Sequence, residues 1–139
     1  MEHEHEKRKR FGLIGKNISY SFSKKYFTEK FEKSSLVGYR YENFDLSSIA
    51  QFPKLIRENP DLAGLNITIP YKEKIIPYLD KLSKKATKIG AVNTIKITKK
   101  GKLKGYNTDY YGFKKSLQPL LQSTLHIVQL HLPIRIQDF

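Results

Sequence analysis

Two side chains that lie far apart in the sequence, Lys72 and Asp109, have the chemical types needed to move a proton at an alcohol carbon. Such a pair can shuttle the hydroxyl proton while the carbon is oxidised or its carbonyl reduced. Lysine suits this work because burial or charged neighbours can shift its pKa toward neutrality. The simpler interpretation is a surface lysine and a first-turn acid that complements a helix dipole.

A serine-containing loop, GKNISYSFS from Gly15 to Ser23, offers hydroxyl groups for an anion. In an extended segment Ser21 and Ser23 point the same way, because side chains alternate along the chain. Two hydroxyl donors beside a helix N-terminus can hold a carboxylate. Taken alone, the loop is better explained by capping serines, since serine is common in turns.

A third set of polar residues lies in the segment GLNITIPYK, where Asn66 and Thr68 share one face of an expected strand. The opposite face carries three apolar residues that we expect in the core: Leu65, Ile67 and Ile69. The polar face needs hydrogen-bond partners, which backbone groups or a polyol ligand could supply. Asn93, in the later segment GAVNT, adds another amide of the same kind.

The elements that position these residues alternate between strands and helices. The patterns predict strands at 11–14, 37–44, 62–69, 91–98 and 103–106. They predict helices at 23–33 with Ser23 as N-cap, at about 47–58, at 71–79, at 81–88 and at 107–116. The alternation predicts an α/β fold, and the turn at Gly101 predicts an antiparallel pair. We therefore expect a three-layer domain with a mixed, mostly parallel sheet flanked by helices.

The charge balance favours anionic partners. The 139 residues include 26 Lys+Arg and 13 Asp+Glu, which gives a formal net charge of +13. The basic residues are scattered, with no zinc-finger spacing, RNA-binding aromatic signature or long basic helix. A solvated lysine surface or a small anionic metabolite is therefore preferred to nucleic acid.

Several other classes of function are disfavoured by the composition. The chain has no cysteine, which excludes disulfides and thiolate metal sites and fits a reducing, cytoplasmic location. His126 and His131 have no ligand spacing with an acidic cluster, so we predict no metal. No apolar run approaches the roughly 20 residues of a membrane helix. We expect a charged tail at 1–10, one domain at 11–121 and an atypical tail at 122–139.

Together and in this order, the four motifs resemble the shikimate dehydrogenase family, in particular its Bacteroidetes type. The motifs are the serine loop, N-x-T-x-P-x-K at Asn66–Lys72, GAVNT at Gly90–Thr94, and G-x-N-T-D-x-x-G at Gly105–Gly112. They cover roughly residues 11 to 121. Four motifs in register are far more specific than any one of them.

The resemblance implies roles for the residues singled out above. Ser21 and Ser23 would hold the shikimate carboxylate, and the ring hydroxyls would bond to four residues: Asn66, Thr68, Asn93 and Asp109. Lys72 would also touch the substrate and would form the catalytic pair with Asp109. The reaction would be the reversible reduction of 3-dehydroshikimate to shikimate by NADPH in aromatic amino acid biosynthesis. A quinate/shikimate relative and a non-catalytic module for carboxylates or polyols remain alternatives.

The sequence departs from the family pattern at Asn17, Tyr20 and Lys24, where proline, histidine and proline are common. A larger departure is the lack of any glycine after Gly112, because the family's dinucleotide domain needs a glycine-rich phosphate turn. We therefore expect a truncated substrate-binding half that binds no NADP and is inactive by itself. A separate cofactor domain is a possible partner, and shikimate or 3-dehydroshikimate is the expected ligand.

Overall fold

The computed structural model describes residues 9–109, which fall into two units divided after Asn107. The first unit alternates strands and helices as follows: β1 Lys9–Gly15, α1 Ser23–Lys33, β2 Tyr39–Asp45, α2 Phe52–Glu58, β3 Leu62–Ile67, β4 Lys81–Leu82, α3 Lys84–Ile89, β5 Thr94–Ile97 and β6 Leu103–Tyr106. Short 3₁₀ turns occur at Ile49–Gln51 and Ile76–Tyr78. Of the second unit, only Thr108 and Asp109 are described, and both are helical.

The strands form one sheet in the order β2-β1-β3-β5-β6-β4. The strand β1 runs parallel to both of its neighbours, β2 and β3, and β4 runs parallel to β6. The strand β5 is antiparallel to both β3 and β6, and the turn at Gly101 reverses the chain between β5 and β6. The mixed, mostly parallel sheet expected from the sequence is confirmed.

Helices cover both faces of the sheet. The larger core lies beneath α2 and α3 and is built mainly from these buried residues: Ile14, Phe52, Leu55, Leu65, Ile67, Ile75, Ala86, Val92 and Ile95. On the opposite face, Phe27 and Phe31 of α1 pack against Leu13 and Tyr41. The three-layer α/β architecture is therefore confirmed, and the apolar side of β3 lies in the core as predicted for Leu65 and Ile67.

The 3₁₀ turn at Ile49–Gln51, which leads into α2, is capped by Ser48. The Ser48 hydroxyl accepts the N–H of Ala50, and the Gln51 side chain accepts the N–H of Ser48. Pro53 lies in the first turn of α2, where no helical N–H is needed. This segment carries Phe52 and Leu55 into the core.

Two expected helices differ from the structure, and a third was expected mainly in residues that are not described. The helix expected at 71–79 is wrong: one turn leads into the short 3₁₀ segment, because Pro77 has no N–H to donate to the preceding turn. The expected helix 81–88 begins only at Lys84, after Lys81 and Leu82 pair with β6 as β4. The helix expected at 107–116 lies outside the described residues beyond Asp109.

Two details near the expected site also need correction. The strand expected at 62–69 ends at Ile67, because the C=O of Thr68 turns to accept the N–H of Tyr71 (3.0 Å). Ile69 is therefore 75% exposed and is not a core residue. Ser23 is the first residue of α1 and not its N-cap, a position held by Phe22.

The Arg10 guanidinium connects the start of β1 to two other segments through three residues. It donates to Glu42 in β2 at 3.1 Å and to Asn59 and Asp61 beyond α2 at 2.6 Å each. The hydrogen bond from Arg10 lowers the pKa of the Asp61 carboxyl below its usual range. Asp61 is largely exposed, so solvent screens the pair.

We predict that Asp61→Asn lowers the free energy of unfolding at pH 7 by up to about 1 kcal/mol. A carboxyl with a lowered folded-state pKa stabilises the protein above its unfolded pKa, and this contribution is lost as pH falls through the folded pKa. The difference between wild type and variant should therefore be constant from pH 7 to about pH 5 and should shrink as the pH falls below about 4. Urea unfolding between pH 7 and about pH 3 measures this difference, with Glu29→Gln as the exposed-acid control. A difference that stays constant down to acid pH would contradict the assignment.

Candidate functional site

A line of hydrogen-bonded polar side chains crosses the α1 face of the sheet. The Tyr41 hydroxyl in β2 donates to Oδ1 of Asn66 in β3 at 2.8 Å. Nδ2 of Asn66 lies 3.5 Å from the Thr94 hydroxyl, which donates to Oδ1 of Asn93 at 3.1 Å. Two of the residues expected to bind ring hydroxyls, Asn66 and Asn93, thus belong to one network.

Tyr41 also connects this network to the serine loop. The phenol is 4% exposed and its ring stacks on Phe27, with 4.7 Å between centroids. Burial raises the pKa of Tyr41 to about 12, while the nearby side chain of Ser23 acts in the opposite direction. The structure therefore brings Ser23 and Asn66 to the same phenol, although they are 43 residues apart in the sequence.

The loop after β1 is held by the carboxylate of Asp45, at the end of the neighbouring strand. Its two oxygens accept the N–H groups of Asn17 (3.0 Å) and Ile18 (3.3 Å). Asn17 has a positive φ of 57°, a conformation that asparagine tolerates. Farther along, the Ser21 hydroxyl accepts the N–H of Ser23 at 3.3 Å. The backbone of the loop is thus fixed at both ends, and both serines are half-buried.

Gly15 allows the serine loop to approach the end of β3. A Cβ at this position would lie 2.5 Å from Cγ2 of Ile18 and 2.6 Å from Cγ2 of Thr68. These distances are far below van der Waals contact, so any larger residue would push the two segments apart. The N–H of Lys16 also donates to the C=O of Ile69 at 3.3 Å. The loop that carries the serines and the segment that carries Thr68 are therefore in direct contact.

The backbone of Lys72 is tied to the segment before β5. Its C=O accepts the N–H of Val92 at 2.7 Å, and its side chain is half-buried. Asn93, which follows Val92 in the chain, is 8% exposed. Its N–H donates to the C=O of Tyr106 (3.0 Å), and its C=O accepts the N–H of Ile67 (2.8 Å). The first unit therefore brings Lys72, Thr68 and Asn93 to the same end of the sheet.

Asp109 belongs to the second unit, so the pair Lys72/Asp109 spans the two units and stays a prediction. The preceding residue in the first unit, Asn107, donates its side-chain amide to the C=O of Ala91 at 3.0 Å. This contact fixes the chain just before the predicted acid.

The predicted site residues do not all line one cavity. Tyr41, Asn66 and Thr94 line a mainly apolar cavity of about 340 Å³, whose walls include Phe11, Phe27 and Phe31. Ser21 lines a different hollow of about 460 Å³ beside Lys24 and Lys25. Ser21 therefore lines a different hollow from Asn66, and neither hollow is lined by the remaining predicted residues of the first unit: Ser23, Thr68, Lys72 and Asn93.

Sequence reasoning missed three residues that hold this site together: Tyr41, Asp45 and Thr94. The signal for Tyr41 was its position in an aromatic strand, since a buried tyrosine usually finds a partner for its hydroxyl. The carboxylate of Asp45 binds the serine loop, a contact that no local pattern in the sequence indicates. No group of three or more potential metal ligands occurs among residues 9–109.

The sequence matches a family model described as the shikimate dehydrogenase substrate binding domain over residues 13–95. This match covers more than half of the chain. The chain belongs to the shikimate dehydrogenase family. The match includes the serine loop, the Asn66–Lys72 segment and Asn93, and it confirms the family inferred from the motifs. The comparisons do not test the narrower likeness to the Bacteroidetes type.

Individual relatives agree with the family match. The chain is 46% identical over 108 residues to an NADP(+) shikimate dehydrogenase of Clostridium botulinum, which covers 77% of this chain and 41% of the relative. It is 41% identical over 120 residues to that of Chlorobaculum tepidum, covering 85% and 40%. The chain therefore spans about two fifths of the length of these shikimate dehydrogenases.

Solved shikimate dehydrogenase structures share the fold. The enzyme of Listeria monocytogenes, in complex with shikimate and NAD, matches with a TM-score of 0.72 at 33% identity over 81% of this chain and 39% of its own. That of Thermus thermophilus, in complex with shikimate, matches with a TM-score of 0.70 at 33% identity over 79% and 42%. Among the described helices, none has the length and apolar character needed to cross a membrane.

We predict that Tyr41→Phe lowers the free energy of unfolding by about 1 to 3 kcal/mol, because Oδ1 of Asn66 loses its donor in a half-buried position. Tyr26→Phe is the control, since it removes an exposed hydroxyl on α1 while keeping the ring contact with Phe27. Urea denaturation of both variants at neutral pH measures the difference. Equal stability of the two variants would argue against a structural role for the Tyr41 hydroxyl.

Proposed function

We propose that this chain binds shikimate, with the carboxylate at the serine loop and the ring hydroxyls at the polar end of the sheet. The observation that carries the proposal is the Tyr41 phenol, which donates to Asn66 and lies near the side chain of Ser23. One buried group thus lies beside both the expected anion site and the expected hydroxyl site. The Listeria and Thermus relatives, whose structures contain shikimate, support the choice of ligand.

The proposed roles follow from the chemistry of the side chains. Ser21 and Ser23 donate hydroxyl hydrogen bonds to the carboxylate, and the net charge of +13 favours an anion at this surface. The amides of Asn66 and Asn93 and the hydroxyl of Thr68 can each donate and accept, as a polyol requires. In this arrangement the ligand is held at both ends, which fixes its orientation.

We further propose that Lys72 and Asp109 form the catalytic pair of the shikimate dehydrogenase reaction, the reversible NADPH-dependent reduction of 3-dehydroshikimate. Their role is to hold the reacting hydroxyl and to move its proton. Asp109 would then also contact a ring hydroxyl, as the family resemblance implies. The absence of cysteine fits a reducing compartment, so we propose that the protein acts in the cytoplasm.

The described residues do not fit a dinucleotide. A phosphate-binding turn needs several glycines between a strand and a helix, so that the backbone can approach the pyrophosphate. The loop from β1 to α1 has a single glycine, Gly15, and that glycine is packed against Ile18 and Thr68. We therefore assign no NADPH contact and no hydride step to these residues. Their proposed work is to bind and orient the substrate.

We predict that shikimate binds the full 139-residue chain and that Ser21→Ala/Ser23→Ala weakens binding by at least about tenfold, since charge-assisted hydrogen bonds are lost. Lys72→Ala should retain binding within a few-fold, because its proposed role is proton transfer. Isothermal calorimetry measures all three dissociation constants. Ser34→Ala, an exposed serine at the end of α1, is the matched control.

If the serine variant and the wild type bound shikimate with equal affinity, the two serines would not hold its carboxylate, and that part of the proposal would be wrong. A steep salt dependence without preference for shikimate would instead favour non-specific binding of anions or nucleic acid.

We predict that the purified chain does not oxidise NADPH with 3-dehydroshikimate, since the described residues lack a phosphate-binding turn. The loss of NADPH absorbance measures the reaction, and a full-length shikimate dehydrogenase serves as positive control. Turnover by the chain would refute this inactivity while leaving the binding proposal intact. Turnover only after addition of a separate cofactor-binding protein would identify this chain as one part of a two-chain enzyme.

A further inference from the structure

The strand β2 forms one edge of the sheet and carries a charge pattern that complements itself. Within the described residues, β2 pairs only with β1. Its seven residues, YRYENFD, leave one row of backbone N–H and C=O groups facing away from the sheet. Exposed edges of this length are templates for pairing with another strand.

The outward groups can be identified from the register. The N–H of Leu46 donates to the C=O of Gly15 at the end of β1 (2.9 Å). Because successive residues of a strand direct their N–H and C=O groups to opposite sides, Arg40 and Glu42 also face β1. The backbone groups of Tyr41 and Asn43 therefore point outward, where a further strand would bind.

We propose that β2 pairs in antiparallel fashion with β2 of a second copy of this chain, with Tyr41 at the two-fold axis. In this register Tyr41 faces Tyr41 of the partner subunit and the two residues exchange both backbone hydrogen bonds. Arg40 lies opposite the partner's Glu42, and Glu42 lies opposite the partner's Arg40. Both charged pairs occupy non-hydrogen-bonded positions, where facing side chains approach most closely.

The charged side chains favour this register over the two registers that are shifted by one position of the axis. A two-fold axis at Arg40 would place two arginines opposite each other, and an axis at Glu42 would place two glutamates opposite each other. Like charges directly opposite are destabilising in a sheet. Only the register centred on Tyr41 brings opposite charges together at both positions.

A side chain on β2 gives independent support. Oδ1 of Asn43 is buried and has no hydrogen-bond partner among the described residues. Buried polar atoms of this kind normally have partners. In the proposed register Asn43 lies opposite the partner's Tyr39, whose phenol is a donor on the same face.

The test is the mass of the full chain in solution. Light scattering after gel filtration should give twice the 16.2 kDa of one chain, with a smaller dimer fraction at high salt. Arg40→Glu should weaken dimerisation by about tenfold or more, because two ion pairs become two repulsions. Arg57→Glu, an exposed charge reversal on α2, should leave the mass unchanged. Circular dichroism checks that each variant is folded.

A mixing experiment separates the proposed contact from a general loss of stability. Glu42→Arg should also be monomeric, but mixing it with Arg40→Glu restores opposite charges at both positions, so heterodimers should form. Since the chain has no cysteine, Arg40→Cys mixed with Glu42→Cys reports the register by forming a disulfide under oxidation. A monomeric wild type, a dimer insensitive to Arg40→Glu, or no cross-link would each overturn the proposal. None of these results depends on shikimate binding.

Discussion

The hydrogen bond from Tyr41 to Asn66 is the contact on which the proposed site depends, because it passes over β1 and joins the edge of the sheet to its centre. A phenol and an amide buried without partners would each be costly. Both are satisfied only if β2, β1 and β3 keep their parallel register and α1 covers the phenol through Phe27. The fold and the orientation of Asn66 are therefore stabilised by the same bond.

The alternation of side chains along the strands separates stability from recognition. In β3, Leu65 and Ile67 fill the larger core while Asn66, between them, faces the polar network. A shift of register by one residue would exchange these faces, burying the amide and exposing the apolar side chains. Gly15 adds a second constraint, since its missing Cβ lets the serine loop lie against Thr68. The site thus needs both a fixed register and close contact between two loops.

Patterns within a few residues predicted much of this structure. The alternation at Leu65–Ile67 predicted the buried face of β3, and the glycine turn predicted the antiparallel strand β5. Contacts over long sequence distances were not predictable from the same patterns. Tyr41 and Asn66 are 25 residues apart, as are the Tyr71 hydroxyl and the Leu46 C=O that it binds. The helix expected at 71–79 failed for a local reason, because Pro77 cannot donate a helical hydrogen bond within it.

Successive residues of β2 alternate in direction, so this one strand can serve both the proposed ligand site and the proposed dimer contact. Tyr41 and Asn43 direct their side chains toward the α1 face and their backbone groups outward from the sheet. Arg40 and Glu42 do the reverse: their backbone groups bind β1, and their side chains lie on the opposite face, where Glu42 already accepts from Arg10. A partner strand would therefore bind the backbone of Tyr41 without displacing its hydroxyl from Asn66. Self-association and ligand binding can for this reason use the same residue without competing for the same atoms.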